Sequence, residues 1–241
     1  MKKIALAALV AAAFAPSLAF AEAGDIVVRL RATHVSPDES SNLGHQTDAT
    51  YAPGVANILY GSSNAQLEVG SNTIPELDFS YYITKNIAAE LILALGTSHD
   101  VNVSGSGGLV KHDLGSVNLL PPTLTAQWHF LPDSTFDPYV GAGVAYVRSL
   151  NRNLTADTRP AANAYRIQID RNMFAPAIQA GFDINLQDKW LVNFDVKKLW
   201  FSTDVKVNLV DSPLGLKSGY QKIDSLDIDP WVISVGFGKK F

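Results

Sequence analysis

Three residues early in the chain have the types that acyl-transfer chemistry uses. His34, Ser36 and Asp38 supply a base, a nucleophile and an orienting acid, the set that activates a hydroxyl in serine hydrolases. In an extended chain His34 and Ser36 share a face, but no strained nucleophile turn or oxyanion loop accompanies them, and geometry rather than residue type defines such a site. The expectation is therefore no enzyme. His45, His99, His112 and His129 are scattered without ligand spacing, so no metal is expected. Cysteine is absent, which removes thiolate catalysis, disulfides and cysteine-ligated metal together. No cofactor is expected.

A second set of chemically active residues recurs at alternate positions. Arg29, Arg31, Glu76, Asp78, Glu90 and Asp195 each interrupt an apolar segment, and charge interleaved with large apolar residues at period two marks a strand with two unlike faces. The elements that position them follow the same rule. Ile26, Val28, Leu30 and Ala32 oppose Asp25, Arg29, Arg31 and Thr33; Leu77, Phe79, Tyr81 and Ile83 oppose Glu76, Asp78, Ser80 and Tyr82. A third segment sets Ala89, Leu91, Leu93 and Leu95 against Glu90, Ile92 and Gly96, and a fourth sets Leu124, Ala126, Trp128 and Phe130 against Thr123, Thr125, Gln127 and His129. Val140 to Tyr146, Ile178 to Ile184, Trp190 to Lys197 and Trp231 to Gly238 continue the pattern, and the chain stops at Phe241. Eight such segments predict an all-β fold.

Periodicity leaves open which face is inside. A soluble lipocalin-like barrel buries the apolar set, whereas a bacterial membrane barrel turns it to lipid and keeps charge within. The connections favour the second. Tight links follow the second, fourth and sixth segments, at Thr84-Lys85-Asn86, Leu131 to Asp137 and Asn185 to Lys189, while the other links run to about twenty residues or more, the short-turn, long-loop asymmetry of outer-membrane barrels. Trp128, Phe130 and Trp190 fall at one end of the strands and Trp200 and Trp231 at the other, as aromatic girdles require. Closure is obligatory, because an open edge leaves backbone groups unpartnered in hydrocarbon.

The N-terminal segment reads as an address. Lys2 and Lys3 precede an apolar run from Ile4 to Phe14, and Ala19-Phe20-Ala21 offers a small-x-small cleavage pattern, so residues 1–21 are expected to be a cleaved signal peptide and 22–241 the barrel domain. That leaves 17 basic against 23 acidic residues, a balance that excludes nucleic acid as a partner.

Several motifs resemble the outer-membrane protein W (OmpW/OprG) family of small barrels: Ala23-Gly24-Asp25, Leu120-Pro121-Pro122-Thr123-Leu124 with Gln127-Trp128, Pro138-Tyr139-Val140-Gly141-Ala142-Gly143, and Asp229-Pro230-Trp231 with Gly236-Phe237-Gly238. The resemblance implies a Gram-negative outer-membrane barrel of eight antiparallel strands, set among outer-membrane lipid and lipopolysaccharide. It also implies a route by which a small hydrophobic molecule enters from the outer side and leaves sideways through the wall. Ile92 matches the family's apolar gate position, and Lys197 stands where many relatives have an aromatic opposite that gate. Phe241 and Phe237 resemble the signal read by the barrel-assembly machinery.

These readings set two functional expectations. A lumen of eight strands is only wide enough for side chains to fill, so Arg29, Arg31, Glu76, Asp78, Glu90 and Asp195 are expected to form a partnered polar plug that closes it to polar solutes. The first long loop carries Tyr51, Pro53, Val55, Ile58, Leu59, Tyr60 and Leu67, and the last Leu209, Val210, Leu214 and Leu216, an apolar load suited to framing a greasy mouth. Pro75, Pro121, Pro122 and Pro176, near the outer ends of the even strands, lack the N–H of a ladder bond, and a wall with missing bonds can open. Ile92, Pro121, Pro122, Lys197, Leu59 and Trp200 are the expected transport path. The alternative is a structural or stress-adaptation barrel whose loops bind external partners.

Overall fold

The computed structural model describes residues 22–94, 97–104, 112–155, 165–209 and 219–241. The expected leader, Leu95 and Gly96, and the loop residues Val210, Leu214 and Leu216 lie outside these. Each alternating segment is a strand: β1 (Ile26–Ser36), β3 (Asn72–Tyr82), β4 (Ile87–Ala94), β7 (Thr123–His129), β8 (Phe136–Ser149), β11 (Asn172–Asn185), β12 (Trp190–Leu199) and β15 (Trp231–Lys240). They pair antiparallel in the order β11-β12-β15-β1-β3-β4-β7-β8, and β8 pairs back to β11, with Gly141 opposite Gln179, to close an eight-stranded barrel.

Burial identifies the inside. Leu124 is 56% exposed and Phe237 55%, whereas Arg29 and Glu90 are 0% exposed. Leaving large apolar side chains in water forfeits about 1.5–3 kcal/mol each, so an outer face carrying Leu30, Leu91, Leu124, Ile178, Val235 and Phe237 fits hydrocarbon and not water. Trp128, Phe130 and Trp190 are exposed toward the tight-turn end, Trp200 and Trp231 toward the other. At the barrel's closing seam Phe241 donates its N–H to the Ile26 carbonyl at 2.8 Å.

The long connections are not the loops that their length predicts. The first contains helices Leu43–Thr50 and Val55–Tyr60 and a strand, β2 (Gln66–Val69). The others contain β5 (Thr97–Ser104), β6 (His112–Leu120), β9 (Asn153–Thr155), β10 (Tyr165–Gln168), β13 (Ser202–Leu209) and β14 (Gln221–Asp227). β2, β5 and β6 extend the barrel sheet, and β14-β13-β10-β9 form a second one. The physical reason is that apolar segments this long must both satisfy their backbone and bury their side chains. In the second helix Val55 and Ala56 share a face with Leu59 and Tyr60, one turn on, and all four are buried together with Leu67. Of the first loop's apolar residues, Pro53 and Ile58 stay exposed. Most of these first-loop side chains build an extracellular core rather than standing exposed, and Leu67 of that core also lines the cavity described below.

Candidate functional site

The lumen changes character along most of the staves, although the inward positions of β7, Thr123, Thr125, Gln127 and His129, are polar throughout. Above a buried cluster of Val27, Tyr82, Ala88 and Leu191 at the tight-turn end, the inward positions of β1 read outward Arg29, Arg31, Thr33, Val35; those of β3 read Ser80, Asp78, Glu76, Ile74; of β4, Glu90, Ile92, Ala94; and of β12, Asn193, Asp195, Lys197, Leu199. On β11, Asp183 and Gln179 give way to Ala177, Ala175 and Met173, and on β15 Ser234 gives way to Val232. The lower half is thus a polar layer and the upper half an apolar chamber.

The polar layer is densely partnered. Arg31 donates through Nε to Asn193 Oδ1 at 2.7 Å and lies 3.1 Å from Glu76, 2.9 Å from Asp78 and 3.0 Å from Glu90. Arg29 reaches Asp183 at 2.6 Å and the Ser80 hydroxyl at 2.5 Å. The second oxygen of Glu90 accepts from the amides of Gln127 at 2.8 Å and Gln179 at 3.0 Å. Asp195 accepts from the Tyr139 hydroxyl at 2.8 Å and pairs with Lys197 at 2.8 Å, and Lys197 also reaches Glu76 at 3.2 Å. All six expected plug residues meet in this one network across the barrel axis. The carboxylates Glu76, Asp78, Glu90, Asp183 and Asp195 outnumber the cations Arg29, Arg31 and Lys197 by two.

Above it lies a cavity of about 90 Å³. Glu76, Lys197, Thr33 and Thr123 form its floor, and Ile74, Ile92, Val117, Leu119, Met173, Leu199, Phe201, Ile228 and Val232 are among its walls. Of the expected path residues, Ile92, Pro121 and Lys197 line it, whereas Leu59, Pro122 and Trp200 do not. Leu59 is packed in the extracellular core. Pro122 turns its carbonyl to β8, where it accepts the Tyr146 N–H at 2.9 Å, and Trp200 is exposed on the outer surface, its N–H bonded to the Pro176 carbonyl at 3.1 Å. These three placements correct the path expected from sequence. The walls given by Val117, Leu119, Phe201 and Ile228 were missed because their segments read as loops, although Val101 and Val103, or Val205 and Val207, show the period-two signal.

The wall beside the cavity is incompletely bonded. β4 and β7 pair from Ile87–Trp128 to Ile92–Thr123, and the ladder resumes between β5 and β6 at Thr97–Leu119. Between these rungs the described residues Leu93 and Ala94 form no ladder pair with Leu120, Pro121 or Pro122. Neither proline has an N–H to offer. Pro75 and Pro176, by contrast, sit inside continuous ladders opposite Ala32 and Val144.

The hydrolase-like set is not assembled. His34 Nδ1 bonds the Thr73 hydroxyl at 2.9 Å, Asp38 faces Lys198 at 3.4 Å, and no hydrogen bond joins His34, Ser36 and Asp38 among the described residues. His129 is buried against Asp137, with Nδ1 at 2.8 Å from the carboxylate, and His99 Nδ1 bonds the Gly70 carbonyl at 2.8 Å. Among the described residues no group of three or more His, Asp or Glu is arranged to hold a metal ion.

The barrel is similar to known proteins. The OmpW family model matches residues 22–241. Outer membrane protein W of Escherichia coli is 32% identical over 243 residues, covering 100% of both chains. The crystal structure of OprG from Pseudomonas aeruginosa superposes with a TM-score of 0.71 at 29% identity, over 91% of this chain and 97% of that one. The dibenzothiophene metabolism operon protein PahQ of Pseudomonas aeruginosa is 26% identical over 213 residues, 84% of this chain and 92% of that protein. With a family match that spans the whole barrel and relatives that share both sequence and fold, the chain belongs to the OmpW family, as an eight-stranded β-barrel of the Gram-negative outer membrane.

Proposed function

We propose that the barrel is a passive pathway for small hydrophobic molecules. A solute enters from the outer side, occupies the apolar cavity, is stopped by the ionic layer beneath, and leaves sideways between Ala94 and Pro121 into lipid. One observation carries this reading: an apolar cavity and an unbonded stretch of wall lie side by side, and Ile92, which lines the cavity, sits on the last rung before that stretch. A cavity of about 90 Å³ is smaller than the roughly 150 Å³ that admits benzene in a protein interior. A larger solute must therefore displace the wall, which yields most easily where backbone bonds are missing. The relation to PahQ, named for an operon of dibenzothiophene metabolism, supports an apolar cargo. In the same reading outer-membrane lipid and lipopolysaccharide cover the belt, and Phe241 and Phe237, both exposed on the outer surface, address the chain to the barrel-assembly machinery.

The test is flux. Purified protein in liposomes is expected to speed uptake of an apolar solute, and Ile92→Trp, which fills the cavity, or Ile92→Asp, which puts a charge in it, is expected to return uptake to the protein-free rate. Unchanged flux in both variants would overturn the pathway and favour a structural barrel whose outer elements bind external partners.

A further inference from the structure

Lys197 occupies the boundary between the ionic layer and the cavity, and its hydrogen-bonding capacity is not fully used. Its Nζ lies 2.8 Å from Asp195 Oδ1 and 3.2 Å from Glu76 Oε1. An ammonium carries three N–H donors, so one has no partner among the described residues, on a side chain that is 3% exposed and lines the cavity. A buried charged donor left unmatched is costly, and the neighbouring walls Ile92, Leu199 and Val232 offer carbon only. Two hydroxyls share this floor: Thr33 donates to Ser234 at 2.9 Å and Thr123 to the Pro121 carbonyl at 3.0 Å. Both protons are committed, and each oxygen keeps lone pairs with which to accept.

We infer that the cavity floor is a head-group subsite, and that the solute class is a hydrocarbon with one neutral oxygen function, above all an alcohol. The oxygen accepts from Lys197, the hydroxyl proton goes to Thr33 or Thr123, and the hydrocarbon body lies against Ile92 and Leu199. A carboxylate head is disfavoured, because it would arrive beside the Glu76 carboxylate on the cavity floor, and like charges close together in a low-dielectric interior repel strongly. A plain alkane that displaces the wall enters the same cavity but leaves the third N–H unmatched. This inference rests on the pathway reading and adds the chemistry of its cargo.

The test measures binding and not flux. Wild-type protein in lipid nanodiscs, labelled at isoleucine and methionine methyls, is titrated with heptane, 1-heptanol and heptanoate. Ile92 and Met173, which both line the cavity, report occupancy, and Met173 is the one methionine besides Met1. Lys197→Leu is expected to weaken heptanol binding by about tenfold more than heptane binding, the size of one hydrogen bond to a charged donor, and heptanoate is expected to bind wild type more weakly than heptanol. Taking the variant-to-wild-type ratio for each ligand cancels its partition into the lipid. If Lys197→Leu fails to fold, the double variant Lys197→Leu/Asp195→Asn removes the carboxylate whose only cation among the described residues is Lys197 and carries the same comparison. Equal weakening of heptanol and heptane, or tighter binding of heptanoate, overturns the head-group subsite and leaves the pathway standing. No methyl shift with any of the three ligands overturns both.

Discussion

Ile92 of β4 and Thr123 of β7 are the last rung of the ladder that joins their strands, and both face the cavity. Continued by two residues, the same register brings Ala94 opposite Pro121, where no rung forms among the described residues. The chain has no cysteine, so Ala94→Cys with Pro121→Cys introduces the only thiols. A disulfide spans Cα atoms about 4.4–6.8 Å apart, the spacing of neighbouring strands, and would rivet the seam. Oxidation is expected to bring apolar-solute uptake down to the protein-free rate, and reduction to restore it. Equal uptake in both states would show that solute does not leave here.

Arg31 is the hinge of the ionic layer, because one guanidinium serves Glu76, Asp78, Glu90 and Asn193 at once. Removing it leaves Asp78 without a cation among the described residues and takes one from Glu76 and Glu90, which keep Lys197 and Arg29. Breaking a buried ion pair from one side costs about 3–5 kcal/mol, so Arg31→Met is expected to lower the urea midpoint of unfolding in lipid by an amount of that order. Arg31→Met combined with Asp78→Asn is expected to recover part of the loss. A single variant as stable as wild type would mean that the layer is not held by these pairs.

The polar half of the lumen is legible in the sequence because Arg29, Arg31, Glu76, Asp78, Glu90 and Asp195 each fall on the face opposite large apolar residues, and a strand's period fixes that face without knowledge of its partners. The apolar half is not. Ile74, Ile92, Leu199 and Val232 share that parity with the charges, and in a barrel expected to be polar inside each reads as an exception, whereas together they form a chamber wall. Leu59 and Trp200 carry the right chemistry, but their place depends on how a helix packs and where a stave bends. The seam is hidden for a similar reason. Four prolines offer missing donors, yet only the non-local pairing shows that Pro121 and Pro122 coincide with absent rungs while Pro75 and Pro176 do not.

Closure depends on a close approach at Gly143 of β8. A Cβ there would stand 2.7 Å from Thr125 Cα and still nearer the Leu124 carbonyl oxygen. Both obstacles are backbone, so no rotamer change can relieve them and β7 must move away from β8. Overpacking of this kind typically costs about 1–3 kcal/mol. Gly143→Ala is therefore expected to lower the urea midpoint, whereas Gly24→Ala, where a Cβ meets nothing within 4 Å, pays only for its left-handed backbone. Equal stability of Gly143→Ala and wild type would place the two strands farther apart than described.

The extracellular sheet carries its own acid-sensitive tie. Burial raises the Asp170 carboxyl, but donation from Lys206 Nζ at 2.7 Å and from the Asp204 N–H at 3.2 Å outweighs it, and the group is held below the usual carboxylate range. A carboxylate depressed in the folded state contributes stability that is present above its unfolded pKa of about 4 and is lost as pH falls through the folded value. Asp170 connects the ends of β10 and β11 to β13, so protonation releases the outer sheet. Amide exchange in β10 and β13 is expected to accelerate as pH drops below about 4, after correction for the intrinsic rate. Asp170→Asn should exchange faster at neutral pH and show little further change on acidification. Its partners are partly exposed, with Asp170 and Lys206 each near one-third accessible, so salt should weaken the tie as acid does. If β10 and β13 keep wild-type protection in Asp170→Asn at every pH, the sheet is held by its apolar face, Ile167 and Val207 packed inward, and the carboxylate is incidental.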